Sequence, residues 1–151
     1  MSVSVQRHDF DISAEITDLY AGNTKVGAIA SFIGLVRDMN DGLNVTEIEL
    51  EHYPSMTQKC LESIVQQAEK RWDLNGVRII HRFGTLKPAD QIVLVIASSS
   101  HRSDAFEACE FLMDYLKTQA PFWKKESTEG GERWVEARKS DDEAASRWNS
   151  S

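Results

Sequence analysis

Basic and histidine side chains in this chain gather at the ends of elements rather than along them. Arg37 closes an apolar stretch, and His101 and Arg102 separate the run Ile92–Ala97 from a helical pattern. Lys117 falls in the last turn of that pattern, and Lys124 and Lys125 follow just beyond Pro121. Strand ends and helix starts leave backbone N–H groups free to meet an anion. The stretch Ser98-Ser99-Ser100-His101-Arg102-Ser103 is small, polar and helix-leading, so it suits phosphate. Each charge-assisted hydrogen bond in such a place contributes about 1.5–3 kcal/mol. The chemistry implied is capture of a small anion and stabilisation of charge on it.

Each residue also has an ordinary role open to it. A lysine in a last turn complements the helix dipole, and Lys124-Lys125 suits the wet face of a hairpin. His101 could cap a helix, and Arg37 could pair with the acidic face of Glu47–Glu51. Pro121 favours the first reading, because a break there lets Lys124 fold back toward Lys117.

Other chemistries find less support. His52, His81 and His101 have no zinc-like spacing with Cys60 and Cys109. Both cysteines occupy apolar helix positions, where burial is more natural than nucleophilic or persulfide chemistry. No Gly-x-Ser-x-Gly, P-loop or dinucleotide fingerprint occurs. Trp72, Trp123, Trp134 and Trp148 could form a binding surface, although Trp72 fits a helix core.

The elements that must position these residues follow from periodicity. Val3 to Phe10 alternates weakly, as an edge strand does. Ser13 can cap a short helix with Ile16, Leu19 and Tyr20 on one side, stopped at Gly22-Asn23. Val26 to Val36 is apolar or small on both faces, as expected of a central strand. Residues 38–42 form a turn, and Val45 to Tyr53 alternates as a strand with one wet face. A helix is predicted from Ser55 to Trp72, with Met56, Cys60, Leu61, Ile64, Val65 and Ala68 inward and Pro54 before its start. Strands at Val77–Phe83 and Ile92–Ala97 flank a turn at Lys87-Pro88. Ser103 or Asp104 can cap the next helix, with Phe106, Cys109, Leu112, Met113 and Leu116 inward, ending before Pro121. Phe122–Glu126 and Arg133–Ala137 flank Gly130-Gly131 as a hairpin. Lys139–Trp148 is polar, a short helix or an arm. The class is α+β: a mainly antiparallel sheet with two principal helices.

With 151 residues, one domain spanning 1–151 is expected. The 41% apolar and 27% charged content is ordinary for a globular protein. The formal charge of -7 disfavours nucleic acid and anionic membranes, so any anion site must be a local basic pocket. Neither a membrane span nor a signal peptide is expected, and unpaired cysteines suit the reducing cytosol.

Several segments together resemble the molybdopterin synthase catalytic (large) subunit family. They are Phe32-Ile33-Gly34-Leu35-Val36-Arg37, Leu50–Met56, Ser100-His101-Arg102, Met113–Glu126 and Arg133–Arg138. The segment Asp114–Glu126 is long and specific, whereas Phe-x-Gly-x-Val-Arg alone would be weak. Lys125 stands where arginine is also common in the family, and both key lysines match. The resemblance implies an α/β hammerhead-type fold with a small β-hairpin subdomain. It also implies a homodimer carrying a small ubiquitin-like subunit at each end, a heterotetramer. That subunit's C-terminal Gly-Gly thiocarboxylate would deliver sulfur to cyclic pyranopterin monophosphate, giving molybdopterin without metal or redox cofactor. Residue by residue, the family's essential lysines fall on Lys117 and Lys124. Its substrate contacts fall on Leu35, Val36, Arg37, His101, Arg102, Lys117, Lys124, Lys125 and Glu126. A non-catalytic pterin-binding or adaptor protein of the same fold is the alternative; loss of either lysine would favour it.

Overall fold

A computed structural model describes residues 2–135 and 139–149 of the chain. The first sheet contains β1 (Val3–Gln6), β5 (Leu74–Arg82), β7 (Gln91–Ser99) and β2 (Ala28–Leu35), in that order. Only β1 and β5 run parallel there; the other pairs are antiparallel. In the second sheet β4 (Leu43–His52) pairs with β3 (Met39–Asn40), β6 (Gly84–Leu86) and β8 (Phe122–Thr128), and β9 (Gly131–Val135) extends β8. The architecture is the expected α+β with mainly antiparallel sheets. The hairpin of β8 and β9 is joined to this second sheet through β4.

The two long helices are α2 (Pro54–Arg71) and α3 (Arg102–Gln119), each 18 residues. They cover one face of the first sheet, where Leu61, Ile64, Phe111 and Leu112 meet Ile79, Val93 and Val95. The short α1 (Ile12–Tyr20) covers the other face, setting Ile16 and Leu19 against Ile80, Leu94 and Ile96. Strand β7 is therefore buried on both sides, which explains its unbroken apolar run. A third cluster of Val36, Val45, Ile48 and Leu86, with Ile92 against it, packs where the two sheets meet.

Several expectations are corrected. The Val26–Val36 segment forms an edge strand, not a central one, and leaves Phe32 and Leu35 42% and 53% exposed. Its residues are apolar on both faces, a pattern that does not distinguish a central strand from an unpaired edge. Asp11, not Ser13, caps α1, its Oδ1 accepting from the Ala14 amide at 3.1 Å. Helix α3 starts at Arg102, with His101 as a cap residue that makes no side-chain bond. Met56 and Phe106 are exposed at 61% and 67%. The inward face of α2 is Thr57, Leu61, Ile64, Val65 and Ala68, and Met56 lies about 100° around the helix from Thr57.

The remaining elements follow the pattern. Asp41 (φ 51°) and Gly42 (φ 78°) close the β3–β4 hairpin with the paired positive φ values such a tight turn requires. Ala120 is extended (ψ 132°), so α3 stops ahead of Pro121 as the proline demands. Glu136 and Ala137, expected in the last strand, lie outside the described residues. A short helix, α4 (Lys139–Ser146), follows and rests on α3. No helix among the described residues is long and apolar enough to cross a membrane.

Candidate functional site

The break at Pro121 places two lysines in one pocket. Helix α3 delivers Lys117 in its last turn; the chain reverses, and β8 lies antiparallel on β4 with Lys124 opposite Leu50. Lys117 and Lys124 then line a cavity of about 280 Å³, walled by Leu50, Ile92, Phe122 and Trp123. Its lining is about equally polar and apolar and also carries His81 and the Asp141 carboxylate, so the two lysines outnumber the one acid.

Lys124 is held from beneath by Glu126, whose residue is 2% exposed. The Glu126 carboxylate lies 3.8 Å from the Lys124 ammonium and 3.1 Å from the Arg133 guanidinium, and it accepts from Asn40 Nδ2 at 2.9 Å. Arg133 also donates to the Asn40 carbonyl at 2.8 Å, tying the β3–β4 turn to the β8–β9 hairpin. A buried carboxylate is tolerable only when its oxygens are satisfied this fully. Both Glu126 oxygens are engaged and Glu126 does not line the cavity, so the geometry makes it a support for Lys124.

Lys125 occupies the opposite face of β8, because successive strand residues alternate. It pairs with Glu49 and Glu132, each at 3.5 Å, and lies 5.5 Å above the Trp134 ring. Glu132 first, then Glu49, pushes its pKa above the usual lysine value. Lys125 therefore does not face the cavity of its own chain.

At the same end of the molecule, β2 runs out at Leu35 and the chain continues to Arg37. Val36 is buried against Ile48, with Ile92 packed on the same cluster, and Ile48 and Ile92 also line the cavity. Leu35 and Arg37 are exposed. Arg37 makes no ion pair among the described residues, so the pairing with Glu47–Glu51 is not realised. His101 and Arg102 are exposed at the other end of β7 and α3. Fifteen helical residues separate Arg102 from Lys117, about 22 Å at 1.5 Å per residue. Within one chain these two groups do not meet.

Two titratable residues of the pocket, His81 and Asp141, escaped sequence reasoning. His81, on β5, lines the same cavity with 6% exposure and stacks on Phe122 at 3.7 Å between ring centroids, 16° from parallel. Burial drives its pKa down to about 3, so the imidazole is neutral. A lone histidine in an apolar strand gives no spacing signal; only the register of β5 with β7 brings it here.

The thiols sit apart from this chemistry. Cys109 is buried and burial lifts its pKa to about 11. Cys60 is half-buried, its pKa also raised by burial, and its Sγ donates to the Gln119 carbonyl at 3.2 Å. Thiolate is therefore scarce at neutral pH. We expect Cys60→Ala and Cys109→Ala, singly or together, to preserve turnover and to cost about 1–3 kcal/mol of stability each. A folded double variant that binds its ligands yet makes no product, in parallel turnover and melting measurements, would contradict this.

Comparison with known proteins decides the family. Residues 5–119 match the model of the MoaE protein family. The chain belongs to that family. Over 147 residues it is 59% identical to the molybdopterin synthase catalytic subunit of Ralstonia nicotianae, covering 97% of this chain and 84% of the relative. The counterpart from Vibrio cholerae is 55% identical and 97% of each chain is covered. Among solved structures, the MoaE protein of Burkholderia ambifaria superposes with TM-score 0.84 at 54% identity, covering 99% of both chains. The molybdopterin synthase of Staphylococcus aureus gives 0.82 at 31% identity, covering 90% of this chain and 98% of the other. The family segments quoted above map onto the end of β2, the start of α3 and the α3–β8 break.

Proposed function

We propose that this chain is the catalytic subunit of a cytoplasmic molybdopterin synthase. It takes sulfur from the C-terminal thiocarboxylate of a small ubiquitin-like subunit and places it on cyclic pyranopterin monophosphate. The observation that carries the reading is the convergence of Lys117 and Lys124 in one cavity on a chain of net charge -7. Both the thiocarboxylate and the cyclic phosphate are anions, and a local cationic pocket recruits them against the global charge. The names of the relatives agree with this activity, and the two free thiols suit a reducing compartment.

In this reading Lys117 meets the incoming thiocarboxylate and stabilises charge on the acyl–sulfur intermediate. Lys124, held by Glu126, binds the phosphate-bearing precursor and helps open its cyclic phosphate. Leu35, Val36 and Arg37 form the near wall of the site. His101 and Arg102 complete it from a second copy of the chain, since about 22 Å separates Arg102 from Lys117 within one copy.

The exposed edge of β2, with Phe32 and Leu35, supports that homodimer. An unpaired apolar edge is a surface that proteins cover. A two-fold axis there sets the strands antiparallel. The His101 end of one copy then lies beside the Arg37 end of its partner. Lys125, turned outward with Glu49 and Glu132, serves a surface contact of the assembled enzyme.

Titration separates the roles. Arg102→Ala and Lys124→Ala should weaken binding of cyclic pyranopterin monophosphate by about tenfold each, one charge-assisted contact apiece. Small-subunit affinity should change little, because it rests on a wider surface. Equal losses for both ligands, or none for the precursor, would mean that the phosphate lies elsewhere.

A further inference from the structure

His81 is the neutral side chain on the described lining that can accept a hydrogen bond, and its two ring nitrogens are in different circumstances. Nδ1 lies 2.8 Å from the carbonyl oxygen of Arg82. A carbonyl only accepts, so Nδ1 carries the proton and Nε2 presents a bare lone pair. No donor among the described residues reaches Nε2. Among the described residues, the sealed side-chain polar atoms without a partner are His52 Nδ1 and Thr57 Oγ1, so His81 Nε2 is not among them. It is reached from the cavity that His81 lines. Buried imidazoles ordinarily satisfy both nitrogens. This one is held rigid by the Phe122 stack and the Arg82 bond, with its acceptor left over.

The rest of the cavity states what such an acceptor would meet. Lys117 and Lys124 outnumber Asp141 on the lining and supply positive charge for an anionic group, and Phe122 and Trp123 offer flat apolar surface to a planar ring. A ligand combining an anion with a planar heterocycle that bears N–H groups uses all three features. Phosphate alone has no use for a neutral acceptor.

We propose that His81 is a substrate-recognition residue whose Nε2 accepts a hydrogen bond from a ring N–H of the pterin. This rests on the function proposed above and adds the heterocycle subsite to it. The burial that keeps the ring neutral also keeps Nε2 an acceptor throughout the physiological pH range. His81 thereby discriminates for the heterocycle, while the lysines hold the anion.

The test uses His81→Phe, which keeps the stack and the volume but removes the acceptor, beside His81→Gln, whose amide oxygen can accept. With the full-length protein, the Kd for cyclic pyranopterin monophosphate should rise about tenfold in His81→Phe and recover in part in His81→Gln. The Kd for the thiocarboxylated small subunit should not move. In the wild-type protein, the 15N resonance of His81 Nε2 should shift when precursor is added, a readout that needs no variant to fold. An unchanged precursor Kd in folded His81→Phe, or an unmoved Nε2 resonance at saturation, overturns the assignment. A loss confined to the small subunit would give Nε2 to a peptide N–H instead and overturn it too. If wild-type protein binds no precursor at all, the proposed function fails with it. If wild-type binds and His81→Phe binds equally, this inference fails alone.

Discussion

Lys117→Ala should fold normally and lose about 10²–10³-fold in molybdopterin formation, the usual consequence of removing one preorganised charge contact from a reacting centre. The fold should survive because the side chain is exposed at the end of α3, and among the described residues no carboxylate pairs with it. Its neighbours Leu116 and Tyr115, not Lys117, hold the helix to the sheet. Among the described residues its stabilising role is with the helix dipole, about 0.3–1 kcal/mol. A thermal melt within a few degrees of wild type, combined with that loss of turnover, assigns the residue to chemistry. Turnover near the wild-type rate would reduce Lys117 to a helix-end charge.

Mixing two impaired variants should restore activity. Arg102 and Lys117 occupy opposite ends of α3, about 22 Å apart, yet both are assigned to one site. If each site takes Lys117 from one copy and Arg102 from its partner, a mixed dimer of Lys117→Ala with Arg102→Ala holds one intact site and one doubly altered site. Random exchange makes half the dimers mixed, so about a quarter of wild-type sites return, as two-fold symmetry requires. The assay is run at precursor concentrations below KM, where Arg102→Ala alone turns over poorly. No recovery after verified subunit exchange would mean that Arg102 does not act across the dimer.

Much of this was legible beforehand because it rests on local rules. Strand β7 announced itself as a buried apolar run, and α2 and α3 by their spacing. Pro121 marked the reversal that brings Lys124 back to Lys117. Other features were hidden because they depend on pairing. The Val26–Val36 segment is apolar on both faces whether central or at an edge, and only the sheet order distinguishes the two. Met56 and Phe106 looked like core residues by type, but the buried arc of each helix is fixed by what it packs on. Lys125 and Glu126 joined the candidate contacts through the family motif. Strand alternation and the Asn40–Arg133 network then turned one outward and made the other a support. His81 required the tertiary register, which no spacing in the chain encodes.

Reconstitution tests the sulfur transfer most directly. Purified protein, a small ubiquitin-like subunit bearing a C-terminal thiocarboxylate, and cyclic pyranopterin monophosphate are combined without further components, and molybdopterin is assayed. Conversion of precursor with matching loss of thiocarboxylate is the expected result, abolished when the small subunit carries an ordinary carboxylate. Tight binding of both ligands with no product from the unaltered chain would contradict it, leaving a pterin-binding or adaptor protein of the same fold.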